Sequence, residues 1–196
     1  MFTYAALFRG VNVSGKNRVE MPRLQKLFAN LGFSKAETYV QSGNVIFCAA
    51  NGDDATEVQK RIIKAVDKEF EVNVPVLVVS GDILERVNSD NPYLKEGRDS
   101  THLHFTFLAA TAATSEPGWS APSEENVAKL DKLAAKSGDD TYRVSPYGLY
   151  ICCPNGYGRT QLNNNALERA LKCVATTRNW KTTAALLARA TALGAE

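Results

Sequence analysis

Short apolar runs alternate along this chain with longer runs in which apolar residues recur at helical spacing. TYAALFR (3–9) is apolar almost throughout and closes on glycine, so it predicts a buried strand. A loop follows, and then a helix opening near Met21-Pro22, where a proline at an early position forfeits no helical hydrogen bond. Leu24, Leu27, Phe28 and Leu31 share one face of that helix, and Gly32 ends it. ETYV (37–40) and NVIFC (44–48) are β-rich runs separated by QSG, the pattern of a hairpin. Asp53-Asp54 predicts a helix cap, with Val58, Ile62, Val66 and Phe70 as the apolar stripe beyond it. VPVLVVS (74–80) predicts another buried strand. The order β-α-β-β-α-β is the ferredoxin-like arrangement, an antiparallel sheet with helices on one face.

The second half repeats most of that plan. A short helical segment (82–88) and the polar stretch SDNPYLKEGRDS form a connector. HLHFTFLA (102–109) predicts a strand, and a Pro/Ser/Thr-rich linker runs through Glu116-Pro117-Gly118. Ser123 caps a helix carrying Val127, Leu130 and Ala134, and TYRVSPYGLYICC predicts a hairpin turning at Ser145-Pro146-Tyr147-Gly148. Asn163-Asn164-Asn165 leads into a helix with Leu167, Ala170, Leu171 and Val174. The closing TTRNWKTTAALLARATALG predicts an alanine-rich helix with Trp180, Ala184 and Leu187 on one side. The expectation is an α+β fold of two ferredoxin-like (β-α-β-β-α) halves with antiparallel sheets, plus a C-terminal helix. Residues 1–80 form the first half, 81–100 the connector and 101–196 the second half, either as separate cores or as one compact unit.

Composition narrows the class little: 196 residues, 44% hydrophobic and 22% charged, with a net charge of +2, is ordinary for a globular protein. No apolar run is long enough to span a bilayer. The opening MFTYAALFRG lacks the basic start of a signal peptide, so a cytoplasmic protein with no membrane partner is expected. The four cysteines, Cys48, Cys152, Cys153 and Cys173, include no CxxC pair. Neighbours on a strand point to opposite faces, so Cys152 and Cys153 do not pair easily, and reduced structural thiols are expected. Local charge says more. Between Arg9 and Lys26 stand Arg9, Lys16, Arg18, Arg23 and Lys26 against a single acid, Glu20.

Within that basic stretch GVNVSGKN (10–17) matches the phosphate-binding P-loop except at its last position. Asn17 replaces the hydroxyl that would hold magnesium, the helix should begin at the lysine rather than near Pro22, and a hairpin stands where parallel βαβ units are needed. The stretch is not a P-loop. FRGVNVSGKNRVEM, TYVQSGNVIF and the late TTRNWKT instead resemble the signatures of a bacterial domain-of-unknown-function family, number 1697, and PNGYGRTQLNNN is similar to a stretch in many of its members. The chain departs from the family pattern at Phe8, Ser14 and Lys181. The resemblance implies an α+β fold with ferredoxin-like halves and no assigned activity.

Candidate site residues cluster in these stretches. In the first loop Arg9 and Lys16 are donors to phosphate or carboxylate, with Asn12, Ser14 and Asn17 as polar companions that otherwise serve to tie down the loop. Gln41, Ser42 and Asn44 sit in the hairpin turn, which sheet pairing can bring beside the first strand, with Gly43 at a positive-φ position. Thr177 is read as the N-cap of the last helix, putting Arg178 and Asn179 in its first turn and Trp180 after them, as a core anchor or a base-stacking surface. A first-turn arginine opposes the helix dipole, so an anion or an internal carboxylate is expected beside it. Arg159 lies in a glycine-rich loop. His102 and His104 share a strand face at i and i+2, but nothing completes a metal ligand set, and no cofactor is implied.

The leading expectation is a protein that binds a phosphate-bearing ligand, either a nucleotide or a nucleic acid, through basic polar loops. One alternative is a metal-independent enzyme on a small anionic substrate, clamped by Arg9, Lys16 and Arg178, with Ser42 or Tyr147 handling protons. The other is a protein-interaction module. Ligand identity and oligomeric state are left open.

Overall fold

The computed structural model describes residues 2–13, 15–41, 43–50, 54–110 and 123–195. The chain divides into two compact units, one of Met1–Glu85 with Ala185–Glu196 and one of Arg86–Ala184.

In the first unit β1 (Phe2–Phe8), α1 (Met21–Asn30), β2 (Ser34–Thr38), β3 (Asn44–Ala49), α2 (Ala55–Phe70) and β4 (Val76–Ser80) follow the ferredoxin-like order. The sheet runs β2-β3-β1-β4, antiparallel throughout. Alternate residues of β1 (Tyr4, Ala6, Phe8) join Leu24 and Phe28 of α1 and Val58, Ile62 and Val66 of α2 in one core. Ala5 and Leu7, on the other face, are equally buried. That double burial is why TYAALFR lacks the polar alternation of a half-exposed strand. Phe28 is the hub, with ring centroids 5.1 Å from Phe47, 5.8 Å from Phe33 and 6.5 Å from Phe8. Full burial of one such ring is worth roughly 1.5–3 kcal/mol.

Local signals end and protect these elements. Gly32 takes φ +82° just past α1, where a left-handed residue is needed to turn the chain. Asp54 stands at the N-cap of α2, where the sequence placed the helix start, although its carboxylate makes no capping bond; Asp53 lies outside the described residues. The edge strand β2 is blunted by a register shift between Ser34 and Glu37, with Lys35 at φ +52°. The C-terminal helix α7 (Trp180–Ala195) reaches this edge: Arg189 pairs with Glu37 at 3.0 Å and stacks over Tyr39.

β4 leads directly into α3 (Gly81–Ser89), where Ser80 Oγ accepts from the Ile83 N–H. The stretch expected to be polar connector also contains α4 (Pro92–Lys95), capped by Asn91 Oδ1 and carrying the fully buried Tyr93.

The second unit contains β5 (Leu103–Ala110), α5 (Glu124–Ala135), β6 (Thr141–Ser145), β7 (Gly148–Cys152), α6 (Asn164–Leu171) and β8 (Cys173–Asn179). Its antiparallel sheet runs β6-β7-β5-β8, the same order as the first. Leu108, Leu130, Leu149, Ile151, Leu167 and Ala175 lie in its helix-covered core. Gly148, at φ +147°, is required where it is, because a Cβ there would collide with the Thr106 carbonyl oxygen.

β8 corrects the sequence reading. Thr177, Arg178 and Asn179 are strand residues, not the cap and first turn of a helix. Lys172 closes α6 at φ +55°, so Val174 belongs to the strand, and β8 then pairs with β5 from Ala110↔Cys173 to His104↔Asn179. Long-range pairing of a β-branched run has overridden a local cap signature. The cap of α7 is Asn179, whose Oδ1 accepts from the Thr182 N–H at 2.8 Å. Its buried stripe is Trp180, Thr183, Leu186, Ala190 and Leu193, whereas Ala184 and Leu187 are only half-buried. Among the described residues, no helix is long and apolar enough to cross a membrane.

Candidate functional site

The loop after β1 is built by asparagines. As β1 ends, the Phe8 N–H donates to Gly43 O and the Arg9 N–H to Pro75 O, so both neighbouring segments hold the loop's start. The chain then doubles back: the Asn12 N–H donates to Asn17 O and the Lys16 N–H to Val13 O. Asn12 (φ +55°) and Asn17 (φ +49°) occupy the left-handed region, which asparagine tolerates better than other side-chain-bearing residues. The Asn12 side chain accepts from the Val19 N–H and donates to the carbonyls of Val19 (2.9 Å) and Gln41 (3.0 Å). Asn17 Nδ2 donates to Gly10 O. Val11 and Val19 are buried beneath. Asn12 and Asn17 therefore hold the loop in shape.

The hairpin turn is brought against this loop, as the sheet order implies. Asn44 is buried and donates to Tyr39 O, while the Tyr39 N–H donates to Asn44 O. Gly43, at φ +75°, presses on Val11 and Phe8, where a Cβ would overlap both. Gln41 is exposed and next to Asn12. Ser14 and Ser42 lie outside the described residues.

Where loop and turn meet, an open groove of ≈ 530 Å³ is lined by Asn12, Gly15, Lys16, Arg18, Val19, Glu20, Met21, Pro22 and Gln41. The lining combines three apolar side chains, Val19, Met21 and Pro22, with the exposed cations Lys16 and Arg18, the carboxylate of Glu20 and the amides of Asn12 and Gln41. Glu20 is the N-cap residue of α1, yet its side chain makes no capping bond and no acid stands in the first turn. The positive end of the helix thus borders the groove, with the Glu20 carboxylate at its N-cap as the one acid on the lining. Arg23 is held elsewhere: it pairs with Glu69 at 2.7 Å and stacks over Phe70. Arg9 is half-buried at the end of β1 and does not line the groove. The helix begins at Met21, not Lys16, so P-loop geometry is absent.

The remaining candidates lie in the second unit. Arg178 is buried in β8, where its Nη1 donates to Thr176 Oγ1 (2.8 Å) and Thr177 O (3.0 Å). Burial pushes its pKa down to about 10, with Tyr157 acting in the opposite sense, so it remains a cation at neutral pH. The expected clash with the dipole of α7 does not arise, because Arg178 precedes that helix. Arg159 is exposed in a 3-10 turn, and Trp180 is a buried first residue of α7. Tyr147 lies in the β6–β7 turn, its N–H donating to Ser145 Oγ.

A hydroxyl network that sequence reasoning missed centres on Thr177. Tyr157 Oη donates to Thr177 Oγ1 (2.9 Å), Thr177 Oγ1 donates to Asn164 Oδ1 (2.7 Å), and Thr106 Oγ1 lies 2.7 Å from Thr177 Oγ1. The available signal was Thr106 itself, a polar residue inside the apolar run HFTFL. Beside it His104 stacks on Tyr157, with centroids 4.7 Å apart, and its Nδ1 lies 3.2 Å from His102 O. His102 lies in a 3-10 turn ahead of β5, so the two imidazoles do not share a strand face as expected. Among the described residues, no group of three His, Cys, Asp or Glu side chains is arranged to hold a metal.

A family model described as a protein of unknown function (DUF1697) matches residues 1–144. That span includes the groove and both of the motifs that build it. No curated protein matches the chain. Among solved structures, the conserved bacterial protein SP0830 from Streptococcus pneumoniae is similar at a TM-score of 0.73 and 22% identity, over 96% of this chain and 98% of that one. Likeness at that identity shows a shared fold.

Proposed function

The chain belongs to the DUF1697 family, and from that premise we propose that it is a cytoplasmic protein binding a phosphate-bearing ligand in the groove at the start of α1. One observation carries the reading. Lys16 and Arg18 border a groove that opens on a helix start whose N-cap residue, Glu20, makes no capping bond and whose first turn carries no acid. Backbone N–H groups at a helix start and flanking cations are complementary to a phosphate group. The asparagine-tied loop keeps these groups in place before a ligand arrives, which lowers the ordering cost of binding. The enzymatic alternative has less support, because the guanidinium of Arg178, one of its three clamps, donates to Thr176 and Thr177 of its own strand.

The test is a thermal melt in rising phosphate, with ionic strength held constant by chloride, for the wild type and the double variant Lys16→Gln/Arg18→Gln. Both side chains are exposed, so the variant is expected to fold. Phosphate at about 100 times its Kd should stabilise the wild type by about 2.7 kcal/mol and leave the variant nearly unmoved. An equal anion effect on both proteins would place binding elsewhere and sink the proposal.

A further inference from the structure

We infer that the groove takes a phosphorylated polyhydroxy compound of the sugar-phosphate class, held by phosphate and hydroxyl groups and not by an aromatic base. The inference rests on the anion-binding reading above and specifies what the remainder of the ligand must be.

A groove of ≈ 530 Å³ is far larger than a bare phosphate and lies within the range of small-molecule sites. Its chemistry has two parts. Lys16 and Arg18 suit the anion. Glu20 and Gln41, on the same lining, do not. A carboxylate is an acceptor only and repels a bare anion, whereas it receives hydrogen bonds well from hydroxyl groups. The exposed Gln41 side chain supplies both a donor and an acceptor. An anion beside a run of hydroxyls satisfies all four side chains together. A bare phosphate leaves Glu20 opposed, and an uncharged sugar leaves the cations without a partner.

Aromatic recognition finds little to work with. Among the described residues lining the groove there is no aromatic ring, and its apolar side chains are Val19, Met21 and Pro22. Base binding without sequence readout relies on aromatic platforms. Most of the unit's aromatic rings are engaged elsewhere: Tyr4, Phe8, Phe28, Phe33 and Phe47 form a chain of ring contacts, Tyr39 and Phe70 lie beneath arginines, and the exposed Phe2 does not line the groove. If the ligand is a nucleotide, the groove holds its sugar phosphate and the base projects outward.

Titration calorimetry on the full chain with inorganic phosphate, ribose 5-phosphate, ribose and AMP tests this. Ribose 5-phosphate should bind about tenfold or more tighter than phosphate, the effect of one or two well-made hydrogen bonds to charged groups, and AMP should gain nothing beyond it. Ribose alone should not bind measurably. Glu20→Gln and Gln41→Ala should each shrink the advantage of ribose 5-phosphate while leaving phosphate as tight as before, or tighter for Glu20→Gln. Binding of AMP about tenfold tighter than ribose 5-phosphate, or no preference for ribose 5-phosphate over phosphate, overturns this inference and leaves the anion site standing. No binding of any phosphate compound overturns both.

Discussion

The side-chain amide of Asn12 donates to the backbone carbonyl of Gln41 at 3.0 Å, joining the first loop to a hairpin turn 29 residues further along. The same side chain also bonds both backbone groups of Val19. One residue therefore fixes the two segments that form the walls of the groove.

Asn12→Ala should lower stability by about 1–3 kcal/mol, because it strands backbone groups of Val19 and Gln41 and puts alanine at a positive φ. Asn12→Gly relieves the backbone problem alone and should fall between alanine and wild type. Urea unfolding midpoints at constant m-value decide this. A variant indistinguishable from wild type would mean that the loop is held by other contacts.

Much of the first unit was legible because its signals are local. The spacing of Leu24, Phe28, Val58 and Ile62 gives helix faces directly, and Gly43 marks the turn that its φ of +75° now explains. The asparagines were legible as loop-fixing residues, but which carbonyl Asn12 would reach was not, since Gln41 is remote in sequence. β8 was misread for a related reason. Thr177 ahead of a helix-forming run satisfies every local rule for a cap, while the pairing that makes it a strand lies in β5. The same error misplaced Arg178. A polar side chain facing inward on a strand cannot be distinguished, from the chain alone, from one exposed in a helix's first turn.

The buried position of Arg178 reverses one expectation. An arginine set against a helix dipole would be removed at no loss, or with a gain. In β8 its Nη1 bonds Thr176 Oγ1 and Thr177 O, so Arg178→Ala should cost about 1–3 kcal/mol for buried acceptors left unsatisfied, with a further loss for the space vacated. Added sulfate should not change the difference between variant and wild type. Stability equal to or above wild type in chemical denaturation would refute this account.

All four cysteines are buried and free, and burial pushes the thiols of Cys153 and Cys173 up to about 12. Thiolate is the reactive form, so these two should be inert at neutral pH. Ellman titration of the native protein should proceed slowly, at the pace of unfolding, and should yield four thiols once the chain is denatured without reductant. A rapid native burst, or fewer than four thiols after denaturation, would contradict the structure.

His104 stacks on Tyr157 inside the second unit. Burial lowers its pKa below the usual histidine value, the hydrogen bond to His102 O opposing this only in part. The neutral ring is therefore the folded form at neutral pH, and the unfolded chain takes up a proton more readily than the folded one. Stability rises with pH wherever the unfolded state binds more protons. The contribution of His104 is thus fully present above the unfolded value of about 6.5 and is lost as pH falls from there towards the folded pKa. Denaturant unfolding of the wild type should show this decline as pH falls below about 6.5, overlaid on the acid response of the carboxylates. His104→Phe keeps a ring against Tyr157 but cannot titrate, so its profile should be flatter over that window. Asp140, whose charge acts on the imidazole, is present in both proteins, so the difference between the two profiles reports the loss of the ring's proton uptake. Parallel profiles for the two proteins would show that His104 is accessible to protons in the folded state and that the half-buried stack is not formed.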